Sequence, residues 1–393
     1  MWLLERVISV LRFGIRSALL ALVTPVAVAA VAALGAVPAG CSAPSTSTSS
    51  PSDNDGGVAP GDGGAGSDGS SPGADGGTGT KDGGGAGSDA SAGTLPPMTS
   101  AVRIIVEPSD RAAALISAIQ SATKSVHMTM YLLSNSSIIS ALIAQQNAGH
   151  EVKVLLNKTF PQGQGSNSTS YNQLMSAGVN VQWAPAGFTL THEKCVILDG
   201  ATAWIMTMNA TQTSPTDNRE YLAVDTDASD VAEAEAIFAA DFGNQSLNPS
   251  GNLVVAPDNA RGKLVALVAA ATTTIDMEAE ELSDTSVVAA MAAGADRGVK
   301  VRVVIASGTG SASQQQGIAL LKQHGVKLVS ISTPYMHAKS IVVDGLYAYV
   351  GSENFSTASL QYNRELGVLT NAAAEVAKVA STTASDFASG TPL

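Results

Sequence analysis

The apolar positions between residues 101 and 330 follow one order twice. Short, continuous runs of β-branched and apolar residues alternate with stretches whose apolar side chains recur at i, i+3 and i+4, such as Leu115, Ile116 and Ile119. The strand-like runs span 103–108, 125–131 and 152–156, and again 252–257, 274–278 and 301–305. The pattern therefore predicts, in each half, the order strand, helix, strand, helix, strand.

A further helix and strand follow in each half, before the polar motifs described below. They are predicted at 171–178 and 179–183, and at 313–325 and 326–330. Continuous rather than alternating apolar strands suit a sheet that is covered on both faces. The internal repeat predicts an α/β protein of two pseudo-symmetric α/β/α halves, 99–247 and 248–393, each a mixed or parallel sheet flanked by helices.

The first 41 residues have the pattern of an export signal. Three arginines precede an apolar run from about residue 18 to 37. A retained membrane helix is the alternative, but Pro25 and the many small residues favour cleavage. We therefore expect an exported bacterial protein, held in the cell envelope or secreted.

The small residues before Cys41 resemble the lipobox of bacterial lipoproteins, in which that cysteine is acylated. Pro38 stands where Leu is usual, so a conventional signal peptidase site nearby is the alternative. Cys195 is the only other cysteine, and we expect the fold to stand without a disulfide. A lipidated Cys41 would anchor the chain to a membrane surface.

Residues 42–98 are rich in Gly, Ser and Asp and offer almost nothing to bury, so we expect a disordered tether. As a flexible coil it would reach roughly 40 Å. Of the 33 acidic residues of the chain eight precede residue 99, and of the 21 basic ones four do, which leaves a net charge of −8 on the remainder. A chain without a Lys/Arg cluster is a poor candidate for a nucleic-acid partner, although a basic patch could still assemble in the fold.

Two copies of one polar motif carry the candidate chemistry. The copies comprise His192, Lys194, Asp199, Asn209 and Glu220, and His337, Lys339, Asp344, Asn354 and Glu365. In both copies the Asn lies 17 residues and the Glu 28 residues after the His. One copy could arise by chance, whereas two copies with matching tails indicate a functional constellation.

The spacing within each motif predicts which side chains meet. His and Lys two residues apart on an extended strand point to one face. The Asp-Gly pair after the strand predicts a two-residue hairpin turn, which would place Thr207 opposite His192 and Ser352 opposite His337. Asp199 and Asp344 would then have a structural role in the turn.

The hydroxyls and the amides of Asn209 and Asn354 would join the lysines as donors to phosphate oxygens. We expect no metal and no cofactor, because no cluster of carboxylates or cysteines accompanies the motif. We assign Glu220 to orient His192 and Glu365 to orient His337, since a carboxylate on one ring nitrogen fixes the tautomer. A salt bridge from each Glu to a nearby Arg is the alternative.

These residues resemble the signature of the phospholipase D superfamily, His-x-Lys-x4-Asp-x6-Gly-Ser-x-Asn. The second copy matches throughout, including Gly351 and Ser352, whereas the first has Met206 and Thr207 in place of Gly-Ser. The resemblance covers about residues 101–390 and implies the phospholipase D fold. It also implies a metal-independent site in which His192 attacks phosphorus to form a phosphohistidine and His337 serves as acid and base.

The leading functional prediction is a phospholipase D that hydrolyses phospholipid head groups to phosphatidic acid, with transphosphatidylation as a further activity. An exported nuclease and a cardiolipin synthase-like phosphatidyl transferase are the enzyme alternatives. A catalytically silent surface-binding module is the alternative outside enzymes, suggested by Met206 and Thr207. We expect a monomer acting on a phospholipid or another phosphodiester.

Overall fold

The computed structural model describes residues 94–158, 160–161, 165–308 and 310–393. The predicted export signal, Cys41 and nearly all of the tether at 42–98 lie outside the described residues. Within the described part of the chain, no helix is both long enough and apolar enough to cross a membrane.

The described residues of the first half form seven strands and five helices. They are β1 (Val102–Glu107), α1 (Ala113–Ser121), β2 (Ser125–Met130), α2 (Ser136–Asn147), β3 (Glu151–Leu156), α3 (Ser168–Ser176), β4 (Asn180–Trp183), β5 (Lys194–Leu198), β6 (Thr202–Met206), α4 (Ser214–Asp217), β7 (Asn218–Asp225) and α5 (Ala228–Phe242).

Within the described residues, the second half repeats this order with two additional short strands, β12 and β16. It comprises β8 (Val254–Ala256), α6 (Ala260–Ala269), β9 (Thr274–Ala279), α7 (Thr285–Asp296), β10 (Lys300–Ala306), α8 (Ala312–Gln323), β11 (Lys327–Ile331), β12 (Tyr335–Met336), β13 (Lys339–Val343), β14 (Tyr347–Gly351), α9 (Thr357–Tyr362), β15 (Glu365–Thr370), α10 (Ala373–Ser389) and β16 (Thr391–Pro392).

Each half builds one mixed sheet. The first has the order β1-β7-β6-β5-β2-β3-β4, and β12 of the second half pairs with its β7. The second has the order β16-β11-β10-β9-β13-β14-β15-β8. Strands β2, β3 and β4 run parallel, as do β9, β10 and β11, whereas the hairpin strands that follow are antiparallel. The predicted fold class, two α/β halves with mixed sheets, is confirmed.

Three apolar cores hold the layers together. One core packs the outer helices of the first half against its sheet, and another does the same in the second half. The third core lies between the halves and contains residues of both sheets together with α5 and α10, including Val231, Phe238, Val376 and Val379. Both faces of each sheet are therefore covered, which explains why the strands are apolar throughout.

Candidate active site

The two motif histidines lie just ahead of β5 and β13, beside the neighbouring half. Thr191 forms a backbone bridge with Arg364, and the short strand β12 pairs with the start of β7. Each His segment thus runs alongside the strand that carries the Glu of the opposite half. His192 is 2% exposed and His337 is fully buried, so both rings act in a site with little water.

Each histidine pairs with the glutamate of the other half, so the sequence-based pairing was wrong. Nδ1 of His192 lies 2.7 Å from Oε2 of Glu365, and Nδ1 of His337 lies 2.7 Å from Oε1 of Glu220. The equal 28-residue spacing identified the correct side chains but not the half in which each meets its partner, because that depends on how the halves pack. A carboxylate thus lies within contact distance of Nδ1 in both halves, and at His192 it forms a hydrogen bond.

The neighbouring arginines cross the same junction instead of pairing with the glutamates. Arg364 bonds Asp241 of α5 and Arg219 bonds Asp386 of α10, each through two nitrogens. The alternative of a Glu–Arg salt bridge is therefore excluded. The two crossed Arg–Asp pairs stand beside the two crossed His–Glu pairs and join the halves.

Hydrogen bonds hold both glutamates in place. Glu220 accepts from Ser214, Asn218 and Thr207, and Glu365 accepts from Ser359 and Asn363. Burial acts to raise the pKa of each carboxyl, but the adjacent His and Lys charges and these hydrogen bonds outweigh it and lower the pKa. Both glutamates are therefore held as carboxylates, the form that accepts a proton-bearing Nδ1.

Lys194 fixes the state of the other nitrogen of His192. Its Nζ lies 2.7 Å from Nε2 of His192 and also bonds the His192 carbonyl oxygen. An ammonium group can only donate, so Nε2 is the acceptor and carries a lone pair. With Nδ1–H directed at Glu365, the ring is in the tautomer that a nucleophile at Nε2 requires.

A carboxylate that the sequence analysis did not consider stands beside the second histidine. Oε2 of Glu280 lies 2.8 Å from Nζ of Lys339 and 3.6 Å from Nε2 of His337. Its other oxygen accepts from the Tyr335 hydroxyl at 3.4 Å. His337 and Lys339 thus converge on one point, as their two-residue spacing predicts.

The first half has an aromatic ring in the corresponding place. Met130 pairs with Lys194 across β2 and β5, and Ala279 pairs with Lys339 across β9 and β13. Tyr131 and Glu280 are the next residues along their strands. The Tyr131 ring packs edge-on against His192 with centroids 4.6 Å apart, and Nζ of Lys194 lies 5.0 Å from its centroid.

The predicted two-residue hairpin turn is wrong by one residue in both halves. Cys195 pairs with Ile205 rather than with Trp204, and Ser340 pairs with Val350 rather than with Tyr349. The first turn contains three residues, Asp199, Gly200 and Ala201, between the paired strand ends. Asp199 and Gly200 both have positive φ, 57° and 62°, which lets this longer turn close.

The motif aspartates lie in the turns and bond neighbouring backbone, which is compatible with the structural role predicted for them. Asp199 accepts from the backbone N–H groups of residues 123–125, and Asp344 accepts from those of residues 272–274. Burial acts to raise the pKa of Asp199, but these hydrogen bonds outweigh it and lower the pKa to about 2. The pKa of Asp344 is lowered for the same reasons.

The remaining predicted residues lie buried at the same sheet edge. The Thr207 hydroxyl donates to Glu220 and accepts from the Tyr221 N–H, and the Ser352 hydroxyl accepts from the Leu366 N–H. These hydroxyls are thus occupied in holding the Glu-bearing strands, and their contact with phosphate stays a prediction. Asn209 and Asn354 are buried three residues beyond β6 and β14, and their role as phosphate donors is likewise a prediction.

Four contributors escaped the sequence analysis: Ser214, Ser359, Tyr131 and Glu280. The two serines could have been found, because they recur at the same 145-residue offset as the motif residues. Tyr131 and Glu280 gave no such signal, since they occupy corresponding places in the two halves but are different residue types. Among the described residues, no three His, Cys, Asp or Glu side chains form a group that could hold a metal ion.

A family model described as "Cardiolipin synthase, PLD-like domain" matches the chain twice, at residues 115–242 and 264–388. The two matches fall one in each half and together include both motifs. No curated protein sequence matches the chain.

Solved structures share the fold at low sequence identity. Phosphatidylserine synthase from Haemophilus influenzae matches with a TM-score of 0.59 and 10% identity, over 77% of this chain and 90% of that one. Polyphosphate kinase from Porphyromonas gingivalis matches with a TM-score of 0.57 and 16% identity over 72% of this chain, and the match spans 46% of the kinase. Nuc from Salmonella typhimurium, a phospholipase D family member, is 24% identical over 36% of this chain and 95% of its own, with a TM-score of 0.35.

Proposed function

The chain belongs to the phospholipase D superfamily, and we propose that it is a phospholipase D that hydrolyses phospholipid head groups to phosphatidic acid. The observation that carries the proposal is the pair of crossed His–Glu contacts at the junction of the halves. They hold two buried imidazoles, each with a lysine close by, where the halves meet. Two imidazoles and two ammonium groups suit the two-step displacement at a phosphodiester.

The proposed reaction begins at His192. The lone pair on its Nε2 attacks phosphorus, and the bond from phosphorus to the head-group oxygen breaks. That oxygen takes the proton from Nε2 of His337 and leaves as the alcohol. Lys194, Lys339, Asn209 and Asn354 would bind the non-bridging oxygens as negative charge builds on them.

Water completes the cycle in a second displacement. His337, now neutral, accepts a proton from water as the water oxygen attacks phosphorus. The phosphorus–nitrogen bond breaks, its electron pair returns to His192, and phosphatidic acid leaves. An alcohol in place of water would give transphosphatidylation by the same steps.

Charge and predicted location support a lipid substrate over nucleic acid. A net charge of −8 after residue 98 gives little attraction for a polyanion whose binding depends on neutralising many phosphates. The predicted export signal and the lipid anchor at Cys41 are proposals too, and together with the tether they would hold the catalytic part near a membrane surface.

Phosphatidyl transfer is the second candidate, because the matching family model is described by cardiolipin synthase. A transferase and a hydrolase of this type share the first displacement and differ in whether an alcohol or water attacks second. Both are therefore compatible with the same two histidines.

The test measures the full chain in EDTA on phosphatidylcholine vesicles and on single-stranded DNA in parallel, with His337→Ala as the control. Released choline with phosphatidic acid, absent from the variant, is the expected result. The same vesicles with added glycerol detect transfer as a phosphatidylglycerol product. DNA cleavage alone would replace the lipid proposal with a nuclease, and silence on both substrates would favour the surface-binding module.

A further inference from the structure

The environments of the two histidines differ by one negative charge. Glu365 at Nδ1 and Lys194 at Nε2 contact His192, and burial raises the pKa of the adjacent Glu193 to about 8, so that this carboxyl adds no charge near neutral pH. The charged groups that contact His337 are Glu220 at Nδ1, together with Glu280 and Lys339. One carboxylate and one ammonium group balance in the first set, whereas the second set has one carboxylate in excess.

A proton on His337 would remove that excess. Opposite charges within about 4–6 Å favour the charged form of a titrating group, and Glu280 lies 3.6 Å from Nε2 of His337. The site is fully buried at His337, so water screens this attraction little. Tyr335, whose ring centroid lies 6.5 Å from that of His337, supplies a hydroxyl to Glu280 and no charge of its own near neutral pH.

The first half lacks any such group at the equivalent point, where the Tyr131 ring packs against His192. Instead, the Lys194 ammonium donates to Nε2 of His192, and that contact opposes protonation there. The two halves therefore prepare their rings for opposite tasks. His192 presents a lone pair, and His337 is favoured to hold a proton.

We infer that Glu280 is a positioning residue that keeps the proton on Nε2 of His337 and thereby makes that ring the general acid. The inference rests on the proposed function, in which His337 protonates the leaving alcohol. Glu280 would explain why His192 is the nucleophile and His337 the acid. Two symmetric His-Lys motifs alone do not explain this. Glu280 acts through His337 and Lys339 and takes no part in bond making.

The first test needs no substrate. Imidazole ¹⁵N spectra of the full chain, with the His337 signals identified by their loss in His337→Asn, give the pH at which that ring loses its proton. Glu280→Gln is expected to lower this pH by about one unit or more, and Glu281→Gln, the matched control one residue away, is expected to leave it unchanged. An unchanged titration of His337 in Glu280→Gln would overturn the inference.

The second test separates an acid defect from a folding defect. A phosphodiester that releases 4-nitrophenol needs little help from an acid, whereas one that releases an alkyl alcohol needs much. Glu280→Gln is expected to lower kcat for the alkyl diester at least about tenfold more than for the nitrophenyl diester. Equal losses on both would overturn the inference.

The two tests also distinguish this inference from the proposed function. An inactive wild-type chain with the expected shift in the His337 titration would contradict the function and leave the effect of Glu280 on His337 standing. An active chain without that shift would contradict only the role of Glu280.

Discussion

The two halves of this protein make the same contacts with each other, but they differ in the residue that lies beside the motif histidine. Both supply a glutamate to the opposite His and an arginine to a helix of the opposite half. At the strand end next to the motif lysine, however, the first half has Tyr131 and the second has Glu280. The repeated contacts orient the rings, and the unrepeated residue distinguishes them.

A second difference lies behind the motif strands. Trp204, Met206 and Met208 of the first half correspond to Tyr349, Gly351 and Glu353 of the second, each 145 residues on. A Cβ on Gly351 would lie 2.4 Å from the Tyr349 hydroxyl and 2.5 Å from a Glu353 oxygen, so no larger residue fits there. In the first half, Met206 and its neighbours form an apolar core instead. Met206 is thus matched to the apolar surroundings of the first half, as Gly351 is to the crowded surroundings of the second.

Replacing each histidine in turn is expected to cause the greatest loss of activity. His192→Asn is expected to lower kcat at least about 10⁴-fold on every substrate, because the nucleophile is lost. His337→Asn is expected to lower kcat/KM, which reports the first displacement, by as much only for poor leaving groups, since a good one departs without an acid. Steady-state kinetics on alkyl and nitrophenyl diesters measure these losses. If both variants lost activity equally on the two diesters, the different roles of the two histidines would be contradicted.

Replacing the crossed glutamates tests whether the two histidines have different roles. Glu365→Gln and Glu220→Gln are each expected to lower kcat roughly 10²-fold or more, because an amide no longer holds the ring in its working state. Only Glu220→Gln, which acts on His337, should show a defect that grows with the basicity of the leaving alcohol. If Glu365→Gln showed that dependence instead, the crossed assignment of roles would be contradicted.

Variants of the crossed Arg–Asp pairs test how strongly the contact between the halves stabilises the fold, rather than the catalytic reaction. Arg364→Ala is expected to lower the free energy of unfolding by about 3 kcal/mol, because it leaves Asp241 buried without its partner. Arg219→Ala should cost less, since the Arg219 side chain is 14% exposed and that of Arg364 is 5% exposed. Urea denaturation of both variants measures this, and a larger loss for Arg219→Ala would contradict it.

Replacing a turn aspartate is expected to lower the stability of the fold only slightly, by an amount that depends on pH. A carboxyl whose pKa is lowered on folding stabilises the fold above its unfolded pKa of about 4 and loses that contribution as pH falls through the folded value. Asp199→Asn should therefore be less stable than wild type at pH 7, and the gap should narrow between pH 4 and the folded pKa of about 2. A gap that stayed constant over this range would argue against the lowered pKa.

Local pattern was enough to predict most of the strands and the helices α1–α3 and α6–α8, because their signals lie within a few residues. It did not predict α5 and α10, whose buried residues acquire a partner only when the halves meet, as Val231 and Val376 do. The hairpin register failed because Asp-Gly was taken as a complete two-residue turn, whereas Asp199 begins a three-residue one.

The site shows the same division between local and non-local information. The repeated spacing was sufficient to select the His, Lys and Glu side chains. It could not pair His192 with Glu365, because that contact joins residues 173 apart in sequence. Glu280 was missed because it interrupts the repeat, and the repeat was the signal that identified the other residues.

The most direct measurement locates the covalent intermediate. The full chain is mixed with a short-chain phosphatidyl ester of 4-nitrophenol, whose leaving group needs little help from an acid, then quenched in base, digested and mapped by mass spectrometry, in wild type and in His337→Asn. We expect a phosphatidyl adduct on His192 in the wild-type chain and a longer-lived one at the same residue in the variant, which lacks the base for the second step. An adduct on His337, or turnover with no adduct on either histidine, would contradict it.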